Sequence, residues 1–244
     1  LCRLMAAANE KNGGSSMYTT QSVKETRRDY VLRELTRLII SCEIKPGAAV
    51  SEQELADRLG VSRTPVREAM VELAKSRILE TFPQRGCKIS LIDYSLIQEA
   101  IFVRTILESA ILDEVCAKVT EEDLQLLEKN LLLQNYYLEN RMAMDLLESD
   151  NEFHMILFEI ADKRQTFQLI SNLSIHFDRL RLLGLSTIKD IKIVEDHRAI
   201  LDAVKAGDAH RARQILEGHI GKRSQLNEAE IRQAHPDYFA PKEG

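Results

Sequence analysis

No run in the 244 residues approaches the roughly 18 uninterrupted apolar positions that a membrane span needs. The first residues carry Arg3 but no apolar h-region, so a secretory signal is not expected. The 4 cysteines (Cys2, Cys42, Cys87, Cys116) are scattered and form no CxxC pair. That excludes a thiolate zinc site of the usual spacing, argues against a disulfide framework and points to a reducing cytoplasm. Internal repeats are absent, and so is low complexity beyond Gly13-Gly14-Ser15-Ser16. Residues 1–24 therefore read as a flexible leader, with Met17 as a candidate natural start. A nucleophile motif and a phosphate-binding loop are missing too, which weighs against an enzyme.

What is present suits a globular protein, with 44% hydrophobic and 29% charged residues and length enough for two domains. The net charge of −5 is unevenly spread. Residues 24–90 hold 13 basic and 10 acidic side chains, while 91–244 carry a net −9. A mildly basic front and an acidic back suggest two domains with different partners.

Val31, Leu35, Leu38 and Ile39 repeat at helical spacing until Pro46-Gly47 stops them. Ser51 and Glu54 form a capping box for a short helix that Gly60 ends. Ser62 opens the next helix, which runs to about Ser76 with Pro65 in its first turn. Two β-like pieces follow, Ile78–Phe82 and Cys87–Leu91, around Pro83-Gln84-Arg85-Gly86. This order predicts a winged helix-turn-helix over 25–92, with a hinge near Asp93. From Ser95 every periodic segment is helical, with helices expected near 95–118, 120–140, 143–162, 165–184, 189–206 and 208–232. The fold class is therefore mainly α: a winged helix-turn-helix, then an all-α antiparallel bundle of six to seven helices over 93–234, then a tail over 235–244.

A recognition helix presents short polar and basic groups from its first two turns to the major groove. Ser62, Arg63, Thr64 and Arg67 do so here, while Val61, Val66, Met70 and Leu73 form the opposite, core-facing stripe. Guanidinium groups suit guanine edges and hydroxyls suit phosphates, so double-stranded operator DNA is the expected partner. Arg85 beside Gly86 at the hairpin tip would reach the backbone or minor groove. The runs Ile44-Lys45-Pro46-Gly47, Ser51-Glu52-Gln53-Glu54-Leu55-Ala56 and Val61-Ser62-Arg63-Thr64-Pro65-Val66-Arg67-Glu68-Ala69 resemble the signature of the GntR family of bacterial regulators. The middle helix of that family often carries a DNA-contacting arginine where this chain has Gln53. The family also favours glycine before the wing, where this chain has Arg77.

In the acidic half, Asp150 and His154 stand four apart on one helix face. His197 and His219 lie among apolar residues at helical spacing, so three imidazoles and a carboxylate directed into a bundle suit Zn²⁺, Ni²⁺ or Mn²⁺. His176 faces inward by the same count, whereas His210 and His235 are expected to be exposed. Residues 97–222 resemble the FCD effector domain of FadR-type members, with Arg104 and Glu108 like its opening motif. The resemblance implies that Asp150, His154, His197 and His219 bind the metal. It also makes Arg104, Arg179, Arg181 and His176 candidates for holding an organic acid. The expected function is a cytoplasmic, homodimeric, ligand-responsive repressor or activator without enzymatic activity. The alternatives are a regulator that senses the metal itself and a metal-dependent hydrolase.

Overall fold

The computed structural model describes residues 25–82, 86–187, 192–226 and 228–241, with backbone alone at 186–187, 222–226 and 228. The expected leader therefore lies outside the described residues.

α1 (Arg27–Ile40) begins where Thr26 accepts from the Asp29 amide, and it buries Val31, Leu35, Leu38 and Ile39. β1 (Ala49–Val50) precedes α2 (Glu52–Leu59), whose start is fixed by the Ser51–Glu54 capping box. Gly60 ends α2 at φ 64°, a left-handed turn that costs glycine little. That turn launches α3 (Arg63–Lys75), which packs Val66, Ala69, Met70 and Leu73 onto α1. β2 (Leu79–Phe82) and β3 (Gly86–Ile89) make the wing hairpin, and β1 pairs with β3 in an antiparallel sheet of order β1-β3-β2. The two-residue β1 is too short to leave an alternating pattern in the sequence.

The helical domain starts with α4 (Tyr94–Lys118), capped by Asp93. It continues through α5 (Glu121–Glu139), α6 (Ala143–Ile160), α7 (Arg164–Leu173), α8 (Ile175–Thr187), α9 (Lys192–Lys205), α10 (Ala209–Leu226) and α11 (Glu228–Ala234). The described residues thus form eight helices here rather than six or seven. The helix expected over 165–184 is two helices. Ser174 lies between them: its amide and hydroxyl both donate to the Ile170 carbonyl, and its own carbonyl accepts from the Asp178 amide at 2.7 Å, the first bond of α8. The helix expected over 208–232 is described as α10 to Leu226 and α11 from Glu228, and residue 227 lies outside the described residues.

The segment read as a tail folds back. The Ile92 amide donates to the Tyr238 carbonyl at 2.8 Å and the Ala240 amide to the Ile92 carbonyl at 2.9 Å. Phe239 enters the effector-domain core, and His235, expected to be exposed, stacks on Tyr238.

Two apolar cores result, and α8 belongs to both. Ile175 and Leu182 join Leu147 in the DNA-domain core, while Phe177 and Leu180 join the core of the helical domain. Because the Phe239 ring lies in a packed core, Phe239→Ala should destabilise the protein by roughly 3–5 kcal/mol in equilibrium urea unfolding. A loss below about 1 kcal/mol would show that residues 235–241 are not part of the core.

Candidate metal centre and DNA-reading helix

α3 projects Ser62, Arg63, Thr64 and Arg67 to solvent while Pro65 and Val66 are buried beneath them. Ser62 is the N-cap by backbone, but its hydroxyl makes no capping hydrogen bond. The open helix N-terminus and this hydroxyl form a site suited to a phosphate. Glu52 of α2 takes Arg67 in a bidentate pair, Nε to Oε1 and Nη2 to Oε2 both at 2.9 Å, and accepts from Arg63 Nη2 at 3.2 Å. The Arg67 hydrogen bond holds the Glu52 carboxyl below its ordinary pKa. One carboxylate thus sets the orientation of both expected DNA-reading guanidiniums. Gln53 is exposed and donates to Asp57 at 2.8 Å. Gly86 is exposed and opens β3 at φ 87°, while Arg85 lies outside the described residues.

In the helical domain α6 carries Asp150 and His154 one turn apart, α9 carries His197 and α10 carries His219. All four are buried, and one candidate ligand atom from each lies within 4.8 Å of the others. The three imidazoles direct Nε2 at Asp150: His197 at 3.7 Å and His219 at 4.0 Å from Oδ1, and His154 at 3.8 Å from Oδ2. His197 and His219 bring their Nε2 atoms within 3.1 Å of each other.

The opposite nitrogens are directed outward. His154 Nδ1 lies 2.6 Å from Glu108 Oε2, and His197 Nδ1 lies 2.7 Å from Gln134 Oε1. His219 Nδ1 lies 3.4 Å from Asp196 Oδ2. The Gln134 amide nitrogen is committed to Asn130 Oδ1 at 2.6 Å, so its oxygen faces the imidazole as an acceptor. The acceptors beside Nδ1 of His197 and His219 favour the Nδ1–H tautomer in those rings, and Glu108 stands at ion-pair distance from His154 Nδ1, so the three Nε2 atoms are left converging. Two Nε2 atoms at 3.1 Å need a proton or a metal cation between them. Both ring nitrogens of His154, Glu108 Oε2 and Asp150 Oδ1 have no hydrogen-bond partner among the described residues. These residues fit a divalent metal.

The electrostatics agree with that assignment. Burial and the neighbouring His219 push the His197 pKa well below its ordinary value, which keeps the ring neutral. Burial alone would raise Asp150, but the Arg181 guanidinium holds it ionised far below the usual carboxylate range. Burial would raise Glu108 as well, yet Arg104 and His154 bring it down to about 2. Phe153 stacks on His197 with ring centroids 4.3 Å apart, fixing the ring plane.

The four candidate effector residues separate into two pairs. Arg104 donates to Glu108 at 2.7 Å, and Arg181 pairs with Asp150 Oδ2 and, at 3.0 Å, with Asp178. Both guanidiniums lie over the Phe177 ring. Arg179 and His176, the other two candidates for holding the acid, lie elsewhere. Arg179 donates to the Ser90 carbonyl at 3.0 Å, and His176 sits between the Asp93 amide and the Arg77 carbonyl. Successive residues of α8 point to opposite sides, and its two faces meet different domains. Gln134, Asn130, Asp196 and Asp178 were not anticipated as supporting residues. A signal existed for two of them: Asn130 and Gln134 occupy the buried stripe of α5 with Leu127, Leu131 and Leu138.

Comparisons with known proteins agree with this architecture. Residues 28–89 match the family described as bacterial regulatory proteins, gntR family, and residues 99–222 match the FCD domain. The chain is 31% identical over 211 residues to the HTH-type transcriptional repressor RspR of Escherichia coli (strain K12), covering 86% of this chain and 92% of that protein. It is 34% identical to an uncharacterized HTH-type transcriptional regulator in an unstable DNA locus of Streptomyces ambofaciens, covering 89% and 91%. Escherichia coli McbR/YncC shares the fold at TM-score 0.73 and 22% identity, over 85% of this chain and 97% of that one. A putative GntR regulator from Rhodococcus sp. RHA1 does so at TM-score 0.67 and 23% identity, over 86% and 99%. The chain belongs to the GntR family of bacterial transcription regulators and carries a C-terminal FCD domain; it is a DNA-binding regulator, not an enzyme.

Asp150 carries the negative charge that faces buried Arg181. In chelator, Asp150→Ala should therefore destabilise the protein by roughly 3 kcal/mol in urea unfolding, since breaking a buried pair strands the other charge. An unchanged midpoint would contradict the pairing.

Proposed function

We propose that this protein is a homodimeric, operator-binding transcription regulator. Its DNA affinity is set by a small organic acid bound at a metal centre of Asp150, His154, His197 and His219. The observation that carries this reading is the convergence of three Nε2 atoms on Asp150, with Gln134 and Asp196 as acceptors at Nδ1 of His197 and His219 and Glu108 at ion-pair distance from His154 Nδ1. Zn²⁺, Ni²⁺ and Mn²⁺ all accept such a donor set. A bound divalent cation would supply a Lewis-acid anchor for a carboxylate or hydroxyl oxygen of the effector. Arg104 and Arg181, stacked on Phe177 beside the set, are the guanidiniums placed to pair with that acid.

DNA would be held by Ser62, Arg63, Thr64 and Arg67 from α3, with Gln53 and the wing residues Arg85 and Gly86 at the flanks. Dimerisation is supported by exposed Phe102 and Ile106 on α4 and exposed Leu169 and Leu173 on α7, two helices that pack together. The repressor named among the relatives supports repression as the sign of regulation. One observation favours a second reading, in which the metal itself is the signal: Arg104 and Arg181 already hold carboxylates of the chain.

Metal content and calorimetric titration test the centre. About one divalent ion per chain is expected, bound much more weakly after His197→Ala; unchanged affinity in that variant would remove the site from this cluster. Replacing Gln134 by Leu should cost about 10–100-fold in metal affinity, through loss of the imidazole's outer partner. A thermal-shift panel of carboxylic acids on the loaded protein separates the two readings. A stabilising acid that loses its effect in Arg181→Ala supports the acid sensor, and metal-dependent DNA binding indifferent to every acid supports the second reading. On a duplex selected from random-sequence DNA, Arg67→Ala should cost about 1–3 kcal/mol at fixed salt. Equal binding would contradict base reading by Arg67.

A further inference from the structure

α8 has one face in each core. Ile175, His176, Arg179 and Leu182 recur at helical spacing toward the DNA-binding domain, whereas Phe177, Asp178 and Arg181 turn toward the metal set. The polar residues of the first face hold the chain between the two domains. His176 Nδ1 accepts from the Asp93 amide at 3.2 Å, and its Nε2 lies 3.3 Å from the Arg77 carbonyl. Only the neutral Nε2–H tautomer accepts at Nδ1 and donates at Nε2. Burial and the nearby Arg179 enforce neutrality, lowering the His176 pKa to about 4. Arg77 follows the recognition helix at φ 55°, a conformation costly for a side chain with a Cβ, so its carbonyl direction depends on external support.

Arg179 adds a second contact. It is fully buried, donates Nη2 to the Ser90 carbonyl and stands beside the Cys42 thiol of the DNA-binding domain, while its Nε and Nη1 have no hydrogen-bond partner of ordinary geometry among the described residues. A guanidinium so incompletely matched weakens the docked arrangement relative to its alternatives. Residues 90–93 are therefore gripped at Ser90 and Asp93 from α8 and at Ile92 from the returning C-terminal segment.

On the other face, Arg181 pairs with Asp150 Oδ2 and Asp178. Any change in the charge seen by Asp150, or any acid competing for Arg181, acts on α8 less than two turns from His176. We propose that α8 couples the metal centre to the DNA-binding domain and that His176 is the positioning residue through which it sets the recognition helix and wing. This inference rests on the metal reading above, since Asp150 is the group that a cation would engage.

The test uses the full chain, with Zn²⁺ as the probe. Zn²⁺ affinity is measured first, by competition with a chromogenic chelator. DNA affinity is then measured by anisotropy on one selected duplex, with Zn²⁺ and with chelator, for wild type, His176→Phe and His176→Gln. Wild type is expected to show a ratio of dissociation constants of about 5–150, the usual range of coupling between sites. In His176→Phe, which loses both hydrogen bonds, the ratio should fall to within about twofold of one while Zn²⁺ still binds. His176→Gln, which can both donate and accept, should retain most of it. Hydrogen exchange on wild type gives an independent readout, with protection at Asp93 and Ile92 expected to change on adding Zn²⁺. A ratio unchanged in His176→Phe, or a wild-type ratio of one with no exchange change despite bound Zn²⁺, overturns the coupling alone. Failure to bind Zn²⁺ overturns the metal reading and this inference with it.

Discussion

One buried carboxylate organises the effector domain. Asp150 is 1% exposed, yet it remains ionised because the buried Arg181 guanidinium pairs with it. Removing such a charge from water costs several kcal/mol, so its partners must arrive from every side, and they do so from four different helices. His154 comes from the same helix one turn on, His197 from α9, His219 from α10 and Arg181 from α8. Each partner is oriented in turn: Glu108 on α4 faces His154, Gln134 on α5 faces His197, and Asp196 faces His219. The bundle is thus held by a hydrophobic core and by the need to surround one charge, and both specify the same helix arrangement.

The DNA-binding domain uses a different economy, with its functional groups on the surface and its constraints beneath them. Pro65 and Val66 fix the first turn of α3, and Glu52 fixes the two guanidiniums that rise from it. Exposed ion pairs contribute little to stability, so the consequence of this one lies in geometry. It holds Arg63 and Arg67, the guanidiniums proposed to contact DNA, beside each other in the free protein, an arrangement that would reduce the ordering cost of such contacts.

Much of this was legible in the sequence wherever local rules decide the structure. The Ser51–Glu54 box and the Gly60 turn both form as their residue types require. The Asp150–His154 spacing places both side chains on one face whatever the tertiary fold. The break at Ser174 was not legible, because Leu173, Ser174 and Ile175 continue a helical pattern with no glycine or proline to punctuate it. Nor was the division of α8, whose apolar residues lie on both sides. His176 is buried as its spacing suggested, but which domain it meets depends on how the two domains pack. Phe239 stands in a segment too short and polar to show a period, so its return to the core left no signal.

Nitrogen-15 spectra of histidine-labelled protein, recorded without metal and then with Zn²⁺, test the central claim most directly. The account predicts that His154, His197 and His219 are Nδ1–H tautomers before metal is added, because Glu108, Gln134 and Asp196 already select that form. Their three Nε2 resonances, and not their Nδ1 resonances, should then move on addition of Zn²⁺. Nε2–H tautomers in the metal-free protein, or three Nε2 signals indifferent to Zn²⁺, would contradict a centre built around Asp150.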